Sequence, residues 1–561
     1  MRKAALFLVL LILTLPTFYQ LLRPGFFFMQ DDLQAFRILE MSKCLQDLQI
    51  PCRWVPDAGY GYGYPQFLYY PPFIYYLGAF FHLLGVQIID SVKLLFILGY
   101  VLSTLLMFIF LKTFLKAALP AFLGAMLYTY VPYKALEVYV RGALSELWSL
   151  VFYPLIFLAI YQLITKKSLK YVVLLSLSIG GLLITHNLMT MIFIPVALIW
   201  CVSLLTVERQ WRVLLKIIFS GLLGLGLAAF YTLPVVFERQ YAHLETLLGG
   251  YFDFRQHFVN LERLFISNRW GYGSSGLGQD NDLTLSTGQI HWILGLLALT
   301  LSLILFKKYK RLATMTIILS LTELLVLFLI HQRSTFIWST LPVLVWLQFP
   351  WRFLTVSIFL LSFLGSIAVF YISKFNEKYA KIFVVITLLG IFILHGQFFQ
   401  PKNWLPITDQ DKFSGSLWQK QLTISIFDYL PIYAKLPPNH EAPKLPEVLA
   451  GQVEFLSYQK GTDYQYGEIN VQEGALLRLP LFDFPGMEVS IDGQKVAHVN
   501  NDCRGEEYCF GLIAVPVTTG KHFIKAQLKN TPIRTIGDTI TLGSFLILIF
   551  LIFKIYDFGK H

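Results

Sequence analysis

Two adjacent carboxylates, Asp31 and Asp32, sit in FFFMQDDLQAFR (residues 26–37), directly after an apolar N-terminal run. Like charges this close repel, so the pair calls for a compensating partner: a cation, a divalent metal ion such as Mg or Mn, or a substrate proton. A carboxylate within hydrogen-bond reach of an attacking hydroxyl can accept its proton. Asp32 is the better placed of the two to cap a helix beginning in LQAFRILEMSKCLQDL (33–48). The apolar residues Leu33, Phe36, Met41, Cys44, Leu45 and Leu48 of that segment lie mostly on one face. Asp31 is then the candidate general base and Asp32 its support. The plainer reading, a pair that only starts a helix, accounts for one carboxylate and not for two.

Other residues suit the leaving-group side of such chemistry. Arg352 in FPWRF and Arg141 in EVYVRGALSELW stand at the edges of apolar runs, where a guanidinium can hold a phosphate by paired bonds. Arg352 is alternatively an interfacial anchor. Glu137 and Arg141 are four residues apart and either pair on a helix or join a substrate site with Glu146. His186 in THN ends an apolar run and is either a ligand to substrate or a satisfied interfacial histidine. NRWGYGSSGLGQDND (268–282) is Gly-rich and aromatic. It reads as a lid with Trp270 and Tyr272 stacking on sugar, or as an ordinary flexible loop. No Gly-rich phosphate loop and no CxxC…CxxC spacing occurs.

The elements that must hold these residues are membrane-like. The chain has 561 residues, of which 56% are hydrophobic and 14% charged, with 49 Phe and 30 Tyr; its mean hydropathy is +0.60. No soluble core of this size accommodates so much apolar surface, and repeated runs of about twenty apolar residues read as membrane spans. A formal charge of +11 would suggest nucleic acid in a soluble chain. Here the basic residues cluster in short loops: Lys112/Lys116, Lys166/Lys167/Lys170, Arg209/Arg212, Lys307/Lys308/Lys310/Arg311 and Lys374/Lys378/Lys381. That is the positive-inside pattern, so no nucleic-acid partner is expected.

The alternation predicts about twelve spans, near 4–22, 91–111, 120–135, 148–165, 170–187, 189–206, 213–236, 289–306, 312–331, 353–373, 382–399 and 537–555, with both termini cytoplasmic. The first is read as an uncleaved span, since bulky Phe18-Tyr19-Gln20 offer no small-residue cleavage site. Segment 66–85 is apolar enough to span. Counting it would invert the basic loops, and Pro71-Pro72 interrupt its start. It reads as a helix in the outer interface, with an ordinary span as the alternative.

This divides the chain into a transmembrane domain (1–399) with external loops 23–90 and 237–288, an external β-rich domain (400–536), and a last span with a short cytoplasmic tail (537–561). MEVSIDGQKVAHV alternates Met487, Val489 and Ile491 with polar residues, and Asp492-Gly493 supplies a hairpin turn. GLIAVPVTTGKHFIKAQL turns at Gly520-Lys521, and GEINVQEGALLRLPL reads as two further strands, so a small β-sandwich is expected. Four of five cysteines fall in external segments, which predicts bridges Cys44–Cys52 and Cys503–Cys509; Cys201 lies in a span.

The order of these pieces resembles the C-type (GT-C fold) membrane glycosyltransferases: a first span, an early external carboxylate, then juxtamembrane helices with Tyr and Pro. More closely it resembles the 6-pyruvoyl-tetrahydropterin synthase-related and YfhO-like membrane proteins. The carriers are RWVPDAGYGYGYP (53–65), YYPPFIYYL (69–77), YVRGALSELW (139–148), THN (185–187), LQFPWRF (347–353), and FPGMEVSIDGQKV with VTTGKH before the last span. The resemblance implies transfer of a sugar from a polyprenyl-phosphate or polyprenyl-diphosphate donor to a glycan, lipid or protein acceptor at the outer membrane face. It implies a catalytic carboxylate at the position of Asp31; Arg352 and Arg141 remain the candidates, from their own chemistry, for the donor phosphate. A donor used outside must cross the membrane, and a lipid carrier meets that need. Two other classes stand beside this one. A transporter or lipid flippase would show inverted repeats and ionisable groups deep in spans. A membrane anchor displaying the β-domain would leave eleven spans without a purpose.

Overall fold

The computed structural model describes residues 3–278, 281–501 and 509–558. Among the described residues, seven helices are long and apolar enough to cross a membrane: Ile88–Leu115, Leu144–Lys166, Asn187–Val207, Lys310–Ile330, Pro350–Phe375, Glu377–Phe398 and Pro532–Tyr556. Trp211–Leu227 and Ala229–Phe237 make an eighth if counted as one span bent by 76°. Thr541 of the last long helix supports that bend by donating to the Gly226 carbonyl (3.2 Å) and accepting from the Phe230 N–H (2.9 Å). Backbone groups freed by the break are thus satisfied away from lipid.

The remaining expected spans are shorter apolar helices: Leu6–Thr17, Ala118–Thr129, Leu169–Thr185 and Gln289–Ile304. The first tightens into a 3-10 turn at Leu15–Thr17, where Pro16 removes a donor. Nearly all residues in the most apolar stretches of Pro350–Phe375 and Leu144–Lys166 are buried, at the centre of the bundle, whereas few of those in Pro532–Tyr556 are, on its rim.

Segment 66–85 breaks into Gln66–Tyr69 and Phe73–Leu83. Eleven residues of helix reach about 16 Å, half the roughly 30 Å of a bilayer core.

Residues 400–446 are not β-rich, a departure from the expected boundary. Their strand β2 (Trp404–Leu405) pairs antiparallel with β1 (Phe26–Phe27), just ahead of Asp31. Asp409 accepts the Ile88 and Ile89 amides at 2.7 and 3.0 Å, satisfying the start of the Ile88–Leu115 helix. The sheet begins later: β3 (Glu447–Lys460), β4 (Tyr464–Phe482), β5 (Met487–Ile491), β6 (Gln494–Val496), β7 (Leu512–Val517) and β8 (Gly520–Leu528).

These six strands form one antiparallel sheet, β3-β4-β8-β5-β6, rather than two separate sheets, with β7 also on β4. The 467–481 segment expected as two strands is part of one 19-residue strand, β4. Its first half pairs with β8 and its second half with β7. A bridge from Val499 to Ala514 of β7 then closes the circuit, so one sheet wraps its own core of Ile469, Leu477, Val489, Val515 and Ile524. The Asp492-Gly493 turn has φ of +51° and +78°, the positive pair a tight hairpin needs. The second hairpin turns at 518–519, ahead of Gly520.

Cys44 and Cys52 form a disulfide (Cα–Cα 5.6 Å), and Cys201 is a buried free thiol. Cys503 lies outside the described residues, and with it the expected Cys503–Cys509 bridge.

Candidate active site

The helix after the acidic pair runs Gln34–Gln46, and its N-cap position is Leu33, with no side-chain cap. The expected capping role of Asp32 is therefore not realised. Asp32 instead accepts from the Lys412 ammonium at 2.8 and 2.7 Å, with the pair 13% and 3% exposed. Burial pushes the Asp32 carboxyl above its ordinary range, and Lys412 offsets that only in part.

Asp31 points elsewhere and is about one-third exposed. Its Oδ2 accepts from Gln34 Nε2 (2.8 Å) and Arg37 (3.1 Å), while Oδ1 accepts only a longer bond from Arg37 (3.2 Å). Tyr75 donates to Gln34 Oε1 (2.8 Å), and the Arg37 guanidinium lies 4.0 Å over the Tyr70 ring. Both orienting groups are thus held in turn, and one oxygen of Asp31 is left with accepting capacity.

The two carboxylates turn to different partners. Each already has a side-chain cation, and among the described residues no group of three His, Cys, Asp or Glu could hold an ion. The residues present do not fit the divalent cation considered from sequence.

The backbone ties Asp31 to the second group of candidates. The Asp31 N–H donates to the Arg141 carbonyl (2.8 Å) and the Gln30 N–H to the Val140 carbonyl (2.9 Å). Residues Glu137–Arg141 form a π-helical turn, an uncommon geometry often found at functional sites. The turn closes on Gly142, whose φ is +68°. A Cβ there would also fall 2.3 Å from Met29 Sδ, so glycine is required twice over.

On the other side of this turn, five of the expected site residues come together. Arg141 Nη1 donates to Glu137 Oε1 and to Glu146 Oε2, the latter at 2.9 Å. Tyr133 donates to Glu146 Oε1 (2.7 Å), and Arg352 Nε lies 3.8 Å from Glu146 Oε2. His186, between helices Leu169–Thr185 and Asn187–Val207, faces the same charges. Glu137 and Arg141 do pair as the helix spacing suggested, but Glu146 shares the guanidinium. Arg352 turns inward to Leu347 O (2.7 Å) and Gln348 Oε1 (3.0 Å), so it does not reach outward as an anchor would. Buried Arg352 Nε, Trp351 Nε1, His186 Nδ1 and Glu137 Oε2 have no hydrogen-bond partner.

Trp270 and Tyr272 are not open stacking faces. Trp270 stacks on Phe398 (4.7 Å, 8°), and the Tyr272 ring packs against Lys402. Their loop still reaches the site, since Gln30 Nε2 donates to the Tyr272 and Gly273 carbonyls at 3.3 and 2.9 Å.

Sequence reasoning missed Gln34, Arg37, Tyr70, Tyr75 and Lys412. Arg37 ends the same motif as Asp31 and was legible as a nearby cation. Lys412 is 380 residues from Asp32 and left no local signal.

Comparison with known proteins places residues 67–258 in the 6-pyruvoyl-tetrahydropterin synthase related domain, described as a membrane protein. A relative from Lactococcus lactis subsp. cremoris (strain MG1363), named only as an uncharacterized protein, is 23% identical over 247 residues, 42% of this chain and 39% of its own. Among solved structures, the apo crystal structure of the Archaeoglobus fulgidus oligosaccharyltransferase matches 72% of this chain and 57% of its own, at TM-score 0.42 and 13% identity. The archaeal oligosaccharyltransferase AglB from the same organism, in complex with an inhibitory peptide and a dolichol-phosphate, matches 72% and 56%, at TM-score 0.44 and 13% identity. The chain thus spans well under two thirds of the length of each of these proteins.

Proposed function

We propose that this chain, which carries the 6-pyruvoyl-tetrahydropterin synthase related membrane domain over residues 67–258, is a multi-pass glycosyltransferase of the cell membrane. It moves a sugar from a polyprenyl-phosphate or polyprenyl-diphosphate donor to an acceptor hydroxyl at the outer face. The acceptor oxygen bonds to the anomeric carbon, the bond from that carbon to the phosphate oxygen breaks, and the acceptor proton passes to Asp31 Oδ1. The phosphate leaves towards Arg352 and Arg141. Buried Arg352 Nε and Trp351 Nε1 have no hydrogen-bond partner in the protein, Arg352 Nε standing 3.8 Å from Glu146, and are donors that a phosphate oxygen would satisfy.

One observation carries the reading. The hydrogen bond from the Asp31 amide to the Arg141 carbonyl ties a partly exposed carboxylate to the π-helical turn that carries Arg141, which shares Glu146 with Arg352.

A transporter or flippase is favoured by ionisable groups buried at span depth: Glu323 in the Lys310–Ile330 helix, bonded to Ser357 at 2.5 Å, and Lys134, which donates to Ser103 of the Ile88–Leu115 helix at 2.5 Å.

The test is protein reconstituted in liposomes with a panel of polyprenyl-phosphate sugars. Wild type transfers sugar, and Asp31→Asn lowers turnover by about 10²–10⁴-fold with folding intact. Equal turnover of the two proteins removes Asp31 from the chemistry. Movement of the lipid-linked sugar across the bilayer without transfer selects the flippase.

A further inference from the structure

A cavity of about 660 Å³ opens at the opposite end of the bundle from Asp31, lined by Lys167, Arg209, Arg212, Lys216 and Trp211. The positive-inside pattern accounts for basic residues in the two loops concerned, but not for their convergence. Lys216 Nζ donates to the Lys167 carbonyl (3.0 Å), which ties one loop to the other. No carboxylate lines the cavity. The adjacent Glu208 pairs with Arg311 instead. Among the described residues, none of the four cations has an ion-pair partner. All four are exposed at the mouth of the cavity, and like charges converging on one space raise the local positive potential and so favour an anion there.

The surroundings say what kind of anion. Trp211 is 51% exposed at the rim, where an indole sits at headgroup level. Along the helix that follows, Leu215, Ile218, Phe219, Leu222 and Leu225 are exposed and apolar, a track for acyl chains.

We infer that this cavity binds the phosphate of an anionic phospholipid from the leaflet on that side, with the acyl chains along the Leu214–Leu227 helix. A zwitterionic headgroup brings its own cation to the four already present and binds less well. The inference is independent of the transferase reading.

The test is native mass spectrometry of the full chain in detergent. The probes are dioleoylphosphatidylglycerol, dioleoylphosphatidylcholine and inorganic phosphate. Wild type retains one more phosphatidylglycerol than phosphatidylcholine, and millimolar phosphate does not displace it. Arg209→Gln/Arg212→Gln weakens phosphatidylglycerol retention by at least about tenfold, as expected for two basic residues at a membrane surface. Lys307→Gln/Lys308→Gln, the same charge loss outside the cavity, leaves it unchanged. Equal retention of the two lipids by wild type overturns the assignment without any variant. Equal weakening in the control variant overturns it as well, and displacement by phosphate makes this a free-anion site instead.

Discussion

Asp32 and Lys412 form a nearly buried pair, and such a pair shows its strength when one partner is removed. Lys412→Met leaves a carboxylate buried without its cation and should cost about 3 kcal/mol. Asp32→Asn removes the charge, so the double variant Asp32→Asn/Lys412→Met should recover part of that loss. Thermal midpoints of the four proteins in detergent check this, and strict additivity would mean that the two groups do not interact. Asp428 supplies a pH dependence. Burial holds its carboxyl proton to about pH 6, above the ordinary 3.8, against the opposing effects of Ser425 and Arg37. The folded protein therefore binds more protons than the unfolded chain between about pH 4 and 6, and stability falls as pH rises through that window. Asp428→Asn removes this contribution, so its midpoint relative to wild type should rise from pH 4.5 to pH 7; a relative fall would count against it. Much of the candidate cluster was legible in the sequence, because Asp31, Arg141, Glu146, Arg352 and His186 are ionisable residues beside apolar runs, where their cost demands a reason. What was not legible is who neutralises whom. That depends on contacts such as Asp32 with Lys412, made between distant segments.

The element that sets the site is the π-helical turn Glu137–Arg141 with Gly142 behind it. Its sequence, EVYVRG, carries an ordinary i,i+4 ion pair and reads as plain helix. The turn's last carbonyls accept from the Gln30 and Asp31 amides, and Met29 packs on Gly142, contacts that a single-segment pattern does not reveal. Gly142→Ala should cost about 1–3 kcal/mol through the left-handed backbone alone, with the Met29 clash in addition. Adding Met29→Ala should return the clash component and leave the backbone component. If Gly142→Ala matches wild type in thermal midpoint and turnover, the turn does not position Asp31. Strand alternation marked the β5–β6 hairpin well, since Asp492-Gly493 is a strong local signal. It could not show that β4 is one strand changing partners near Gly474, because one long strand and two short ones share the same alternation. Apolar runs marked the spans in the same way, but not the bend at Ala228, which Thr541 of the last helix supports from outside the run.

At the scale of the molecule, contacts sort the loops into two groups. Gln30 bonds the Tyr272–Gly273 backbone, Asp32 pairs with Lys412, Asp47 accepts from Thr462, and the Ile88 amide is held by Asp409. These join segments 23–90, 237–288 and 400–536 on one face. Lys216 with Lys167, and Arg311 with Glu208, join basic loops on the other. The positive-inside rule predicts that the first face is the outer one. Segment 66–85 must leave both its flanks on that face, because Tyr76 accepts from the Cys52 amide near its middle and Asp409 holds the Ile88 amide just past its end. The check is single-cysteine labelling of intact cells with a membrane-impermeant maleimide, in a Cys201→Ser background whose residual labelling is measured first. Cysteines at Leu48, Gln87 and Leu277 should label, and one at Lys308 should label only after permeabilisation. Labelling of Lys308 in intact cells would invert the whole arrangement. Labelling of Leu48 without Gln87 would mean that 66–85 crosses the membrane, which would carry the Asp409-capped helix start away from the Asp31 face and leave the site unassembled.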